Sequence, residues 1–125
     1  MEKKLIILKE LPVAGPYSTA VEANGFIFLS GQLPINPNTG EIISDIQDAT
    51  RLVLANIQSV LTTAGLLMSD IVKTTIFLTN MKDFPVVNKI YAEFFPDAPP
   101  ARSTVEVSNL PKGAPIEIEA IAVKR

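Results

Sequence analysis

The chain contains no cysteine and no histidine. The first absence excludes disulfides and thiol nucleophiles. Together the two exclude Cys–His and Ser–His–Asp catalytic arrangements and the usual zinc sites built from these side chains. Any proton transfer the protein carries out falls to carboxylates, lysine, tyrosine, backbone groups or water. Basic charge is sparse, with Lys+Arg 11 against Asp+Glu 13 and a net charge of -2. The lysines are dispersed, so the basic stripe of a phosphate-backbone binder is missing and no nucleic-acid partner is expected. No apolar run approaches the length of a membrane span, and the apolar stretch of MEKKLIILKE is too short for a signal-peptide core. A cytoplasmic protein without a membrane partner is expected. A glycine-rich nucleotide fingerprint and low-complexity tails are absent as well. Arginine is scarce, occurring only as Arg51, Arg102 and Arg125.

What is present is a single-domain length of 125 residues, expected to fold as one unit over 1–125. Hydrophobic residues make up 47% and charged residues only 19%, below the roughly 25% usual for a soluble domain. That surplus predicts either apolar surface covered by another subunit or a well-filled core.

Strands are predicted over 3–8, 18–23 and 26–30. The last two flank Asn24-Gly25, which suits a two-residue hairpin turn because both central positions need positive φ. Two prolines and a glycine make GQLPINPNTGE a loop. Ser44 followed by Gln47 is a capping-box pattern, and Ile46, Ala49, Val53, Ile57, Val60 and Ala64 recur at helical spacing up to Gly65. IVKTTIFL within 70–79 reads as a buried strand. Asp83 is the expected cap of a second helix with Val86, Val87, Ile90, Tyr91 and Phe94 on one side, ended by PDAPP. RSTVEV at 102–107 and PIEIEAIAV at 115–123 are the final strands. This order predicts an α+β fold: one mixed sheet with both helices packed on one face. A neighbouring subunit is the simplest cover for the other face.

Strand parity separates the polar candidates. Arg102, Thr104 and Glu106 alternate with Ser103, Val105 and Val107, and Glu117 and Glu119 alternate with Ile116 and Ile118. The expectation is that a guanidinium and carboxylates line the uncovered face together. Arg102 either grips a small carboxylate through two parallel hydrogen bonds or forms a salt bridge to Glu106, Glu117 or Glu119. Glu117 is a general base, a structural partner of Arg102 or a guard on a strand edge. Tyr17, after a Gly-Pro bend, either projects over a pocket or packs as an ordinary aromatic. Ser30 and Gly31 offer a hydroxyl and a backbone N–H to an anion, or form a plain turn. Asn88 marks a groove margin or a solvated helix position. Lys73 is a Schiff-base candidate with no second polar motif beside it.

AGPYSTAV, FLSGQLPINPNTGEI, DIVKTTIFLTNMKDFPVVNKIYAEFF and PPARSTVEVSNLPKGAPIEIEAIAV, taken in order, resemble the RidA/YjgF/YER057c/UK114 family of reactive intermediate deaminases across nearly the whole chain. The resemblance implies a chorismate-mutase-like (YjgF-like) domain forming a homotrimer with clefts between subunits. It also implies hydrolysis of 2-aminoacrylate-type enamines and their imines, 2-iminobutanoate and 2-iminopropanoate, to 2-oxo acids and ammonia. In that reading Arg102 is the carboxylate clamp and Glu117 helps place the attacking water. Tyr17, Ser30, Gly31 and Asn88 match cleft positions, and no cofactor or metal is implied. Thr104 stands where many members carry cysteine; the mechanism there is expected to use the backbone. FPDAPPAR is compact beside the longer loop of some members. A different class of function uses the same residues, namely a non-catalytic trimeric protein that binds small carboxylates. A third description attached to the family, an RNA-directed nuclease or translation inhibitor, is opposed by the acidic balance and the missing histidine.

Overall fold

The computed structural model describes residues 2–125. Its strands are β1 (Lys4–Ile6), β2 (Ala20–Ala23), β3 (Phe26–Gln32), β4 (Ile71–Leu78), β5 (Ala101–Glu106) and β6 (Ile116–Val123); its helices are α1 (Ile46–Thr63) and α2 (Phe84–Phe94). The sheet has six strands in the order β1-β2-β3-β6-β4-β5. Only β4 and β5 run parallel, because α2 lies between them in sequence and carries the chain back across the sheet. This is the α+β arrangement the sequence predicts, with both helices on one face. None of its helices is long and apolar enough to cross a membrane among the described residues.

The hairpin between β2 and β3 turns on Asn24 and Gly25, with φ of 56° and 82°, as a twist-compatible two-residue turn requires. In β6 the alternation is sharp: Ile116, Ile118, Ala120 and Ala122 are buried beneath the helices, while Glu117 and Glu119 face the other way. Fully burying a side chain such as Ile118 contributes about 1.5–3 kcal/mol. Ile27 and Leu29 on β3 and Ile76 and Leu78 on β4 extend the same buried layer. The opposite face is open and mixes apolar residues with Glu117 and Glu119. A single register row there runs Leu5, Val21, Phe28, Ile121, and Leu5 and Phe28 are 48% and 46% exposed.

Several local expectations are corrected. Asp45, not Ser44, caps α1, its side chain accepting from the Asp48 N–H at 3.0 Å, so the Ser44/Gln47 box does not form. Asp83 precedes α2 without a side-chain cap bond; the chain enters through a 3-10 turn at Met81–Asp83 that Asn80 caps instead. On α2, Val87, Ile90 and Tyr91 are buried, but Val86 is 40% exposed. β1 is shorter than the predicted 3–8, with Ile7 exposed. β3 is longer than predicted, because a bulge lets it continue to Gln32: three steps from Leu29 to Gln32 match two on β6, from Ala120 to Ile118.

Candidate active site

Arg102 sits on the edge strand β5 directly opposite Thr74, and paired residues in a ladder point to the same face. Thr74 is buried under α2, where its hydroxyl and that of Tyr91 share a hydrogen bond of 2.7 Å. Arg102 therefore lies on the helix-covered side. Its guanidinium carbon is 5.2 Å from the Phe84 ring centroid and 4.9 Å from that of Tyr91, within cation–π range. Its Nη1 donates to Asn88 Oδ1 at 2.9 Å. Phe84, Asn88 and Tyr91 recur at i, i+4 and i+7 on one stripe of α2, a spacing that could have identified Phe84 as a site residue from sequence. Burial pushes the Tyr91 phenol above its ordinary pKa, against the opposing effects of the Thr74 bond and the Arg102 charge.

The salt-bridge alternative for Arg102 does not materialise within the chain. The ion pairs among the described residues are Arg51–Glu93, Lys124–Glu22 and Arg125–Asp70. Glu106 instead accepts the Met81 N–H at 2.7 Å. Arg51 and Arg125 are thus neutralised internally, whereas Arg102 has no carboxylate among the described residues. With Nη1 engaged by Asn88, its Nε–Nη2 edge is open for a bidentate anion.

Glu117 occupies a different place. It pairs with Phe77 across β6 and β4 and belongs to the open face, so the expectation that Arg102 and Glu117 share the uncovered face is wrong. Parity fixes the alternation within a strand but not its phase relative to a neighbour, and a shift of one residue exchanges the faces. The apolar Val105 suggested a core-facing side for its half of β5, yet it is 41% exposed on the open face. Within one chain Arg102 and Glu117 stand on strands two spacings, roughly 10 Å, apart, three register rows removed from each other and on opposite sides of the sheet.

Around Glu117 the structure gathers a second group. Gly31 lies in the β3 bulge, and a Cβ there would overlap Oε2 of Glu117 and lie 2.7 Å from its Cδ. The carboxyl thus fills the space that glycine leaves. Ser30 holds this corner: its N–H donates to the Thr19 carbonyl at 3.0 Å and its hydroxyl to the Ser18 carbonyl at 2.6 Å. Both donors of Ser30 are therefore spent within the chain, which disfavours the alternative in which its hydroxyl donates to an anion; that hydroxyl retains acceptor capacity. Tyr17 follows, 52% exposed, its ring lying close over Gly15, so it projects from the surface and is not core packing. Burial first, and the neighbouring Glu119 charge second, raise the Glu117 pKa above the ordinary carboxylate range. No described residue donates a hydrogen bond to it.

The remaining candidates fall on either side of the sheet. Thr104, on the Arg102 side, has a fully buried hydroxyl oxygen with no partner among the described residues. Lys73 is on the open face, bonding the Ser103 hydroxyl at 3.1 Å and the Thr74 carbonyl at 3.2 Å; nothing around it builds a Schiff-base site. Among the described residues no cluster of His, Cys, Asp and Glu could hold a metal ion. A concavity of about 590 Å³ beside α1, lined in part by Leu8, Glu10, Asn56 and Thr63, contains none of these candidates. The polar groups thus form two half-sites, Arg102/Asn88/Thr104 and Tyr17/Ser30/Gly31/Glu117, that one chain keeps apart.

Comparison with known proteins bears on what the halves serve. The family model for endoribonuclease L-PSP matches residues 7–124. The 2-iminobutanoate/2-iminopropanoate deaminase of Escherichia coli is 46% identical over 126 residues, covering 98% of both chains. Among solved structures, a conserved Rid family protein of unknown function from Yersinia pestis superposes with a TM-score of 0.94 at 53% identity, over 98% of this chain and 99% of that one. Escherichia coli TdcF with bound serine superposes with a TM-score of 0.92 at 43% identity, over 98% and 99%.

Proposed function

The chain belongs to the RidA/YjgF/UK114 family, and from that premise we propose that it hydrolyses 2-aminoacrylate-type enamines and their imines, 2-iminobutanoate and 2-iminopropanoate, to 2-oxo acids and ammonia. The observation that carries this reading on the chain's own residues is Arg102: a guanidinium held in place, with an open edge and no internal carboxylate. A 2-imino acid offers a carboxylate for that edge, next to an electrophilic carbon.

The two half-sites meet only if a second copy of the chain brings them together. The β5–α2 edge of one protomer packs on the open face of the next, so that Arg102 faces the partner subunit's Glu117. The surfaces in contact differ, so the interface is heterologous and gives a ring where its rotation closes; a homotrimer with three interfacial clefts closes it and covers the exposed Leu5 and Phe28. The reading places the trimer in the cytoplasm.

In such a cleft Arg102 binds the substrate carboxylate and Asn88 keeps the fork oriented. The partner subunit's Glu117 accepts a proton from water as the water oxygen bonds to the imine carbon, and the C=N pair moves to nitrogen, which takes that proton from Glu117. The resulting carbinolamine passes its hydroxyl proton, again through Glu117, to the amine nitrogen as the C–N bond breaks, leaving the 2-oxo acid, ammonia and an ionised Glu117. Burial that raises the Glu117 pKa makes its carboxylate a better base than an exposed one. The Thr104 backbone and Tyr17 line the cleft. No cofactor enters the reaction. The net charge of -2 disfavours RNA as the substrate.

A coupled assay tests this. A pyridoxal-phosphate-dependent dehydratase generates the imine in place, and release of 2-oxo acid is followed with and without the protein. Arg102→Ala should lower kcat/KM more than tenfold, since losing a desolvated charged hydrogen-bond partner costs about 2–5 kcal/mol. Glu117→Gln should lower kcat while retaining more of the affinity for 2-oxobutanoate. Saturable binding of 2-oxobutanoate by wild-type protein with no acceleration of hydrolysis would replace the enzyme with a carboxylate-binding module.

A further inference from the structure

Resting on the reading of Arg102 as a carboxylate clamp, we propose that Phe84 and Tyr91 are positioning residues that hold its guanidinium ready for the ligand, with Thr74 anchoring Tyr91. An arginine side chain on an edge strand carries large rotamer freedom, and a clamp that must be ordered upon binding weakens the complex. Here the side chain is fixed at both ends by one device. At its base, Arg102 pairs in register with Thr74. At its head, it lies 4.9 Å from the ring of Tyr91, the residue whose hydroxyl Thr74 binds at 2.7 Å.

Tyr91 is itself immobile, because it is buried and its ring is 4.6 Å from that of Phe95. Phe84 approaches the guanidinium from the other end of the same helical stripe, at 5.2 Å, and Asn88 between them takes one Nη1 proton. The aromatic faces attract the cation but accept none of its in-plane hydrogen bonds. They restrain the guanidinium without consuming the donors that the substrate needs. A carboxylate in place of these rings would restrain it equally and occupy the fork.

The first measurement needs no substrate. In ¹H–¹⁵N spectra, the Arg102 Nε–H, identified by its loss in Arg102→Lys, should be displaced by the aromatic ring currents from the positions of Arg51 and Arg125, and should move toward them in Phe84→Leu and Tyr91→Leu. The second is calorimetry with 2-oxobutanoate. Each ring-removing variant should raise Kd, and KM in the coupled assay, by about three- to tenfold with kcat nearly unchanged. The same substitutions made in Arg102→Ala should cause no further loss, because they act through Arg102. Tyr91→Phe/Thr74→Val, which retains the ring and its packing on Phe95 but removes the hydroxyl anchor, should raise Kd less than Tyr91→Leu does. Phe84 is only half-buried, so its variant keeps the test valid if Tyr91→Leu folds poorly.

An Arg102 resonance coincident with those of the other two arginines would overturn the proposal. So would an unchanged Kd in the ring variants, or an equal further loss in the Arg102→Ala background. Unchanged Kd alongside normal imine turnover removes the aromatic restraint and leaves the deaminase; a displaced resonance and ring-dependent binding without turnover do the reverse.

Discussion

At position 31 the missing side chain matters as much as any present. The Glu117 carboxyl occupies the space a Cβ would take, and because that carboxyl ends a flexible side chain, Gly31→Ala can be accommodated by swinging it away without breaking the strand. Gly31→Ala should therefore retain the fold and melting behaviour, keep most affinity for 2-oxobutanoate, and lose turnover to nearly the extent that Glu117→Gln does. The coupled assay read beside circular dichroism checks this. The proposed role of Glu117 also sets a pH dependence. As a base it would have to be ionised, and burial together with Glu119 raises its pKa, so activity should fall on acidification at a pH above the ordinary glutamate range. Glu119→Gln removes the like charge and should shift that acid limb of kcat/KM downward, which a pH–rate profile measures.

At the scale of elements, legibility followed burial. The alternation places β6 to within a residue, because four small or branched apolar side chains on one well-covered side follow one another at every second position. α1 was placed by its apolar stripe, although Leu54 and Leu61, both buried, also belong to that stripe. Neither side of the edge strand β5 is fully buried, so its own pattern cannot tell which face meets the helices. The same pattern singles out Arg102 yet assigns it to the wrong side of the sheet. The β3 bulge left no composition signal beyond Gly31 itself. One tie between elements has its own pH signature. Asp70, before β4, accepts from Arg125 Nε at 2.9 Å and Nη2 at 3.1 Å, and from the Leu67 N–H at 2.8 Å, linking the turn to the chain beyond β6. The Arg125 bond, aided by the Leu67 N–H and opposed by burial, lowers the Asp70 pKa. A depressed carboxylate pKa contributes stability that is present above the unfolded aspartate value and is lost as pH falls through the folded one. Asp70→Asn should thus lower Tm by a few degrees at neutral pH, and the gap to wild type should close in acid; thermal melts across that pH range report it.

At the scale of the whole molecule, the division of polar groups between two faces is why the proposed site needs assembly. An isolated chain exposes Leu5 and Phe28 on the open sheet face and keeps Arg102 apart from Glu117; the proposed ring of three would repair both defects with one interface. Light scattering should give about three times 13.5 kDa. The most direct test is complementation. Arg102→Ala and Glu117→Gln are each purified as inactive or weakly active trimers, then unfolded, mixed in equal amounts and refolded together. In a ring where each site takes Arg102 from one protomer and Glu117 from the next, every mixed trimer contains one boundary with both residues intact. Random assembly then restores about a quarter of the wild-type sites. Recovery to roughly that fraction of wild-type turnover is the result a shared site predicts. Mixed trimers, verified by mass, that show only the average of the two parental activities would place both residues within one protomer and contradict it.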